Sequence, residues 1–228
     1  MYKLLLGDEK NPQEESKLVD GYTIDFYDTP QGLTTVGKML QTSKYKTYTD
    51  FPQYLIDITI ENIKKHMTLN FDYIMFIPPT NSGDKVKNFT QELSKALNIP
   101  LKKNLTKICG VTRRKFCIPQ KYQKFEKEKQ KIIFSCVDCE GIKDKNILLV
   151  DDICDSGYTL KTAGKFLTKY KPKVIVPFTI TKSFTGEVKV KEIETVIWKK
   201  TKIINFFGGP GIGKSTQAAG LHYIMKKN

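Results

Sequence analysis

Short unbroken apolar runs alternate with amphipathic stretches along most of the chain. Ile147 to Val150, Tyr73 to Ile77 and Val174 to Lys182 read as strands covered on both faces. Leu160, Ala163, Leu167 and Tyr170 recur at helical spacing, as do Val86, Phe89, Leu93 and Leu97, and Ile56, Ile60, Ile63 and Met67. Each set predicts a helix with one apolar face. A strand feeding such a helix predicts a βα unit. Met1 to Leu6 and Thr23 to Tyr27 read as further strands. Leu105 to Lys131 breaks the pattern, being long, basic and short of periodic apolar residues.

The 228 residues leave room for one α/β domain and an appended fragment, and 39% hydrophobic residues suffice for a core. No apolar run is long enough to span a membrane. Met1 to Leu6 is too short for a signal peptide, so the expected location is cytoplasmic. The net charge of +14 comes almost wholly from lysine and favours phosphate-bearing ligands. The lysines are scattered, and Arg113 and Arg114 are the only arginines. With no recognition helix, RNA-binding signature or zinc finger, nucleic acid is not the expected partner. Cys109, Cys117, Cys136, Cys139 and Cys154 are odd in number and predict free thiols in a cytosolic chain. A zinc set built on Cys136-x-x-Cys139 is the alternative. Neither His66, near a helix end, nor His222 is placed to catalyse.

The chemistry concentrates in Asn146 to Thr159. A buried strand ends in Asp151 and Asp152, a turn of small residues follows, and then a helix. Ligands of open α/β sheets bind beyond the carboxyl ends of the strands. Ionised carboxylates there accept hydrogen bonds from sugar hydroxyls or hold hydrated Mg²⁺. Asp155, Ser156, Gly157, Tyr158 and Thr159 form a helix N-terminus suited to phosphate.

From Leu148 to Thr159 these residues resemble the type I phosphoribosyltransferases. The resemblance implies a central parallel sheet flanked by helices, with a small N-terminal hood over about residues 1–45. It implies that Asp151 and Asp152 hold the ribose hydroxyls of phosphoribosyl pyrophosphate, with Mg²⁺ through water. Asp155 to Thr159 would wrap the 5′-phosphate. Pro79, Thr80, Asn81, Ser82 and Gly83 would form the pyrophosphate loop, as an anion nest ahead of a helix. Arg113 and Arg114 would belong to a lid closing over the ribose. A homodimer stays open.

A closer resemblance, over roughly residues 30 to 185, is to the ComF-like subgroup. It rests on Ile77-Pro-Pro, Val86 to Gln91, Thr35 to Leu40, Lys44-Tyr45 and Pro119-Gln120. The chain departs from that subgroup in lacking the N-terminal Cys-x-x-Cys pair and in carrying Asp155 where threonine is usual. In 6-oxopurine transferases an aspartate there faces the base, a lysine ends the next strand and an aromatic stacks on the base. Asp155, Lys182 and Trp198 match those roles. The alternatives are a helix cap, a solvated strand end and a core tryptophan.

Ile203 to Phe207 reads as a strand before Gly208-Gly-Pro-Gly-Ile-Gly-Lys-Ser215, which fits the Walker A phosphate loop. Gly208, Gly213, Lys214, Ser215 and Thr216 would cradle the phosphates of ATP. One helix later the sequence ends, so residues 201–228 read as a truncated P-loop NTPase start behind a transferase domain of residues 1–200. This incomplete βα unit is expected to bind phosphate weakly and not to turn over NTP. The expected activity is therefore phosphoribosyl transfer to a nitrogenous base. A non-catalytic phosphoribosyl-pyrophosphate sensor and an ATPase adaptor are the alternatives.

Overall fold

The computed structural model describes residues 1–6, 16–46, 50–79, 83–103, 105–109 and 132–193. The chain divides into two units, Met1–Glu194 and Thr195–Asn228, and every described residue lies in the first. In chain order the strands are β1 (Tyr2–Leu4), β2 (Gly21–Phe26), β3 (Asp28–Thr29), β4 (Gly32–Leu33), β5 (Tyr73–Phe76), β6 (Leu105–Cys109), β7 (Ile132–Cys136), β8 (Asn146–Cys154), β9 (Val174–Lys182) and β10 (Val190–Glu192). The α-helices are α1 (Thr35–Gln41), α2 (Gln53–His66), α3 (Lys85–Leu97) and α4 (Tyr158–Thr168). A wide π-helical turn, Thr42–Lys46, continues α1.

The main sheet runs β10-β1-β2-β9-β8-β5. β2, β9, β8 and β5 are parallel, whereas β1 is antiparallel to both β2 and β10. The sheet is therefore mixed where a parallel one was expected. β1 and β2 also belong to it, and do not form a separate hood. The physical reason shows in β2, where adjacent residues Thr23 and Ile24 are both buried, as in an interior strand and unlike a half-exposed flap. Gly21 makes the close approach possible. A Cβ there would lie 2.3 Å from the Pro177 carbonyl oxygen of β9.

Alternation along β8 builds two core layers. Ile147 and Leu149 share a buried cluster with Leu160, Ala163 and Leu167 of α4, and with Leu105 and Phe134 of the β6–β7 pair. Leu148 and Val150, also buried, project to the opposite face, where α3 packs on β5 and β8 and α2 packs on α3. Phe51 and Phe89 meet edge to face across that side at 5.7 Å.

The basic stretch from Leu105 does not begin as a loop, because β6 pairs antiparallel with β7 from Leu105↔Cys136 to Cys109↔Ile132. Just beyond, Cys136 and Cys139 form a disulfide with Cα atoms 5.8 Å apart. The intervening Asp138 takes a left-handed φ of 56°, and the tight turn brings the two residues together. This corrects the expectation of free thiols and removes both residues from a zinc set. Cys154 is a free, buried thiol, and burial pushes its pKa up to about 12. No helix among the described residues is long and apolar enough to cross a membrane.

Candidate active site

The parallel strands bring their carboxyl ends to one edge. Phe26 pairs with Lys182, Lys182 with Cys154, and Phe76 with Val150. β8 runs two residues past the acidic pair, to Cys154, so both carboxylates sit inside the strand's last turns and not after its end. Consecutive strand residues project to opposite faces. Asp151 shares the face of Ile147 and Leu149, and Asp152 the other.

Asp152 is paired with a lysine, and Asp151 feels the charge of a second one. On the Asp152 side, Lys44 from the π turn places Nζ 2.5 Å from Oδ2, with side chains only 14% and 16% exposed. Burial works to lower the Lys44 pKa, but the charge and hydrogen bond of Asp152 outweigh it and the net shift is upward. On the Asp151 side stands Lys107, two residues along β6 from buried Leu105. Asp151 Oδ1 accepts the Asp152 N–H at 2.9 Å. Its pKa is pushed up to about 7, first by burial and then by the Asp152 charge, against the pull of Lys107 and Lys44.

The turn after β8 leads into α4 through Gly157, which takes a left-handed φ of 72° at the helix N-cap. The N-cap residue is Gly157, which has no side chain to cap the helix, so Asp155 is not the N-cap. Ser156 Oγ accepts the Tyr158 N–H at 3.3 Å. Ser156 and Tyr158 are exposed, and Thr159 is half-buried. Asp155 packs against the turn after β9. A Cβ on Gly186 would lie 2.7 Å from Asp155 Oδ1.

Lys182 is not a solvated strand end. It is 1% exposed, and its ammonium donates to the Ser183 carbonyl and, at 3.0 Å, to that of Gly186. Burial lowers its pKa, opposed by Cys154, Asp155 and Asp28. The turn it closes presents Phe184, whose N–H donates to Asp28 Oδ1 at 2.8 Å and whose ring meets Phe26 at 5.7 Å. Sequence reasoning missed Phe184, Lys107 and the role of Lys44. The Lys44 partner lies 108 residues away, beyond the reach of any local pattern.

At the neighbouring strand, the Ile77 N–H donates to the Val150 carbonyl at 2.8 Å, so the Pro78-Pro79 loop leaves the sheet beside Asp151. Gly83 has φ 41° with open space around it. Thr80, Asn81, Ser82, Arg113, Arg114 and Trp198 lie outside the described residues, as do Gly208, Gly213, Lys214, Ser215 and Thr216. A groove of about 890 Å³ between α4 and β7, lined by Ile132, Phe134, Lys161 and Phe166, does not include the acidic pair. We place the site on the strand edge, where the titratable groups converge.

Over residues 45–212 the chain matches the phosphoribosyl transferase domain family. The match takes in well over half of the sequence, and the chain belongs to that family, as a type I phosphoribosyltransferase domain. Among similar solved structures is the allosteric regulatory enzyme of purine biosynthesis, at 15% identity and TM-score 0.41, covering 62% of this chain and 30% of that one. Another is a hypoxanthine-guanine phosphoribosyltransferase from Bacillus anthracis str. 'Ames Ancestor', at 18% identity and TM-score 0.36, covering 57% and 65%. A third is a purine phosphoribosyltransferase from Pyrococcus horikoshii Ot3, at 18% and 0.39, covering 59% and 87%. The chain thus spans less than two thirds of the first two of these proteins. No curated protein matches it.

Proposed function

We propose that this domain transfers the 5-phosphoribosyl group from phosphoribosyl pyrophosphate to a ring nitrogen of a nucleobase. The observation that carries the reading is the Asp151–Asp152 pair at the strand edge, five positions before the left-handed Gly157 that opens the next helix. The carboxylates accept the ribose hydroxyls, and the amides and hydroxyls of Ser156 to Thr159 receive the 5′-phosphate. The loop from Pro79 to Gly83 receives pyrophosphate. Arg113 and Arg114 close over it and exclude water, which would otherwise hydrolyse the activated sugar. The C1–O bond to pyrophosphate breaks as the C1–N bond forms, and Asp155 takes the proton displaced from the base.

Mg²⁺ fits this donor set. It retains several waters and needs only one or two carboxylates alongside ligand phosphates, which Asp151 and Asp152 provide. When bound, it neutralises the departing pyrophosphate. Asp151 and Asp152 would hold the ion through water, with the ligand's phosphates as its other partners.

A 6-oxopurine is the acceptor we favour, on the strength of Asp155. Lys182 donates two of its three N–H groups to the Ser183 and Gly186 carbonyls, which leaves one donor for the purine's exocyclic oxygen. Trp198 is the proposed stacking partner. The chain is assigned to the ComF-like subgroup on its loop and helix motifs. The Gly208 to Thr216 loop is assigned weak phosphate binding.

The test is pyrophosphate release from phosphoribosyl pyrophosphate and Mg²⁺ with a panel of purines and pyrimidines. Release with hypoxanthine or guanine, and its loss in Asp151→Asn/Asp152→Asn, supports the reading. Release with a pyrimidine alone removes the purine assignment. Tight binding with no release for any base makes the domain a sensor. Undiminished release by the double variant removes the catalytic assignment.

A further inference from the structure

The pairing of Lys44 with Asp152 goes beyond the roles above, and rests on the reading that the acidic pair holds the ribose. We propose that Lys44 contacts the substrate, waiting on Asp152 and moving to a pyrophosphate oxygen when the sugar hydroxyls take over the carboxylate.

Three observations converge. First, the pair is short, at 2.5 Å, and both side chains are largely withdrawn from water. A ribose hydroxyl that takes Asp152 as its acceptor competes with the ammonium for the carboxylate's lone pairs and loosens the pair. Loosening a sheltered ion pair leaves the ammonium under-compensated, which draws Lys44 toward a new anion. Phosphoribosyl pyrophosphate brings one on the same side of the ribose that Asp152 serves. Second, Lys44 stands on the π turn Thr42–Lys46 and not on α1 proper. Such wide turns recur at functional sites, and their looser winding lets one residue shift without unwinding a helix. Third, Lys44 is firmly based. Thr34 Oγ1 accepts the Gly37 N–H at 2.9 Å at the start of α1, and Gly37 lies so close to the backbone just after β2 that a Cβ there would fall 1.8 Å from the Tyr27 carbonyl oxygen. A merely solubilising surface lysine needs no such base. Lys44 therefore balances the Asp152 charge before the ligand arrives and then supplies a positive contact to the leaving group, strongest as charge builds on it.

The exchange separates two ligands that share the ribose 5-phosphate moiety but differ in pyrophosphate. Calorimetry with Mg²⁺ should find that Lys44→Met weakens phosphoribosyl pyrophosphate by roughly tenfold to a hundredfold, the loss expected of one charge-assisted hydrogen bond. Ribose 5-phosphate should bind the same variant as well as it binds wild type, or better, because Asp152 is then unencumbered. Lys44→Arg, which keeps charge and fold, should retain most of the preference for the pyrophosphorylated ligand. Equal weakening of both ligands in folded Lys44→Met, or no weakening of either, overturns the proposal. If Lys44→Met does not fold, Lys44→Arg decides: a retained preference supports the exchange, and a preference lost to the level of ribose 5-phosphate overturns it. Wild type that binds neither ligand overturns the ribose reading and this inference together. Wild type that binds both, with an unchanged ratio in the variants, overturns this inference alone.

Discussion

Asp151 holds its proton close to neutrality because burial and the neighbouring Asp152 both penalise its charge. Its folded pKa of about 7 lies above the ordinary 3.8. The contribution to stability is therefore full below pH 3.8 and is lost as pH rises through about 7. Thermal melts should show wild type losing stability relative to Asp151→Asn between about pH 4 and 7, with the difference level above that window. Asp25, also raised by burial, acts with the same sign in both proteins and cancels in the comparison. Lys182 makes a second residue-level prediction. Lys182→Met should strand the carbonyls of Ser183 and Gly186 and cost about 1–3 kcal/mol in denaturant unfolding, even without ligand. A Lys182 that only reads the base would leave the unfolding midpoint unchanged. The acidic pair, Asp155 and the turn before α4 stood out in the sequence as candidates because they are local and chemically unusual. Lys44 and Lys107 were not, since scattered lysines all look alike until the fold brings two of them to one strand.

Among the elements, periodicity served where one face is apolar. The strand read over Val174 to Lys182 has those bounds, and Val86, Phe89 and Leu93 of α3 and Leu160, Ala163 and Leu167 of α4 line their buried faces, whereas Leu97 is half-buried and Tyr170 lies past the end of α4. Periodicity failed where pairing is decided at long range. β2 looked like an alternating flap until β9 gave it an interior position, and β6 could not be seen without β7. The α4 start is where backbone conformation bears on the proposed function. Gly157 combines a left-handed φ with a close fit, since a Cβ would lie 2.7 Å from Leu6 and Val188 side chains. Gly157→Ala should cost about 1–3 kcal/mol of stability. It should also raise KM for phosphoribosyl pyrophosphate more than it lowers kcat, in steady-state assays at fixed base. Equal kcat and KM in the variant would remove the 5′-phosphate from this turn.

For the whole molecule, the sheet draws on both ends of the described chain. The outer edge of β1 is covered only by β10, with Tyr2 opposite Glu192 and the Ile193 N–H donating to the Met1 carbonyl at 2.9 Å. A chain cut after Glu194 should melt cooperatively and keep its affinity for ribose 5-phosphate. One cut after Lys189 should bare that edge and aggregate, measurable by light scattering. A cooperative, soluble shorter chain would show that β10 is dispensable.

The same strand order sets a timetable for the newborn polypeptide. β1 and β2 leave the ribosome first, yet the parallel neighbour of β2 is β9 and the outer neighbour of β1 is β10. Neither exists until almost all of the described chain has been translated. Pairings between such distant segments are slow to form, and an emerging hairpin with two bare edges invites other chains. The first strands are therefore open to mispairing for longest, until Val190–Glu192 arrives to seal the sheet.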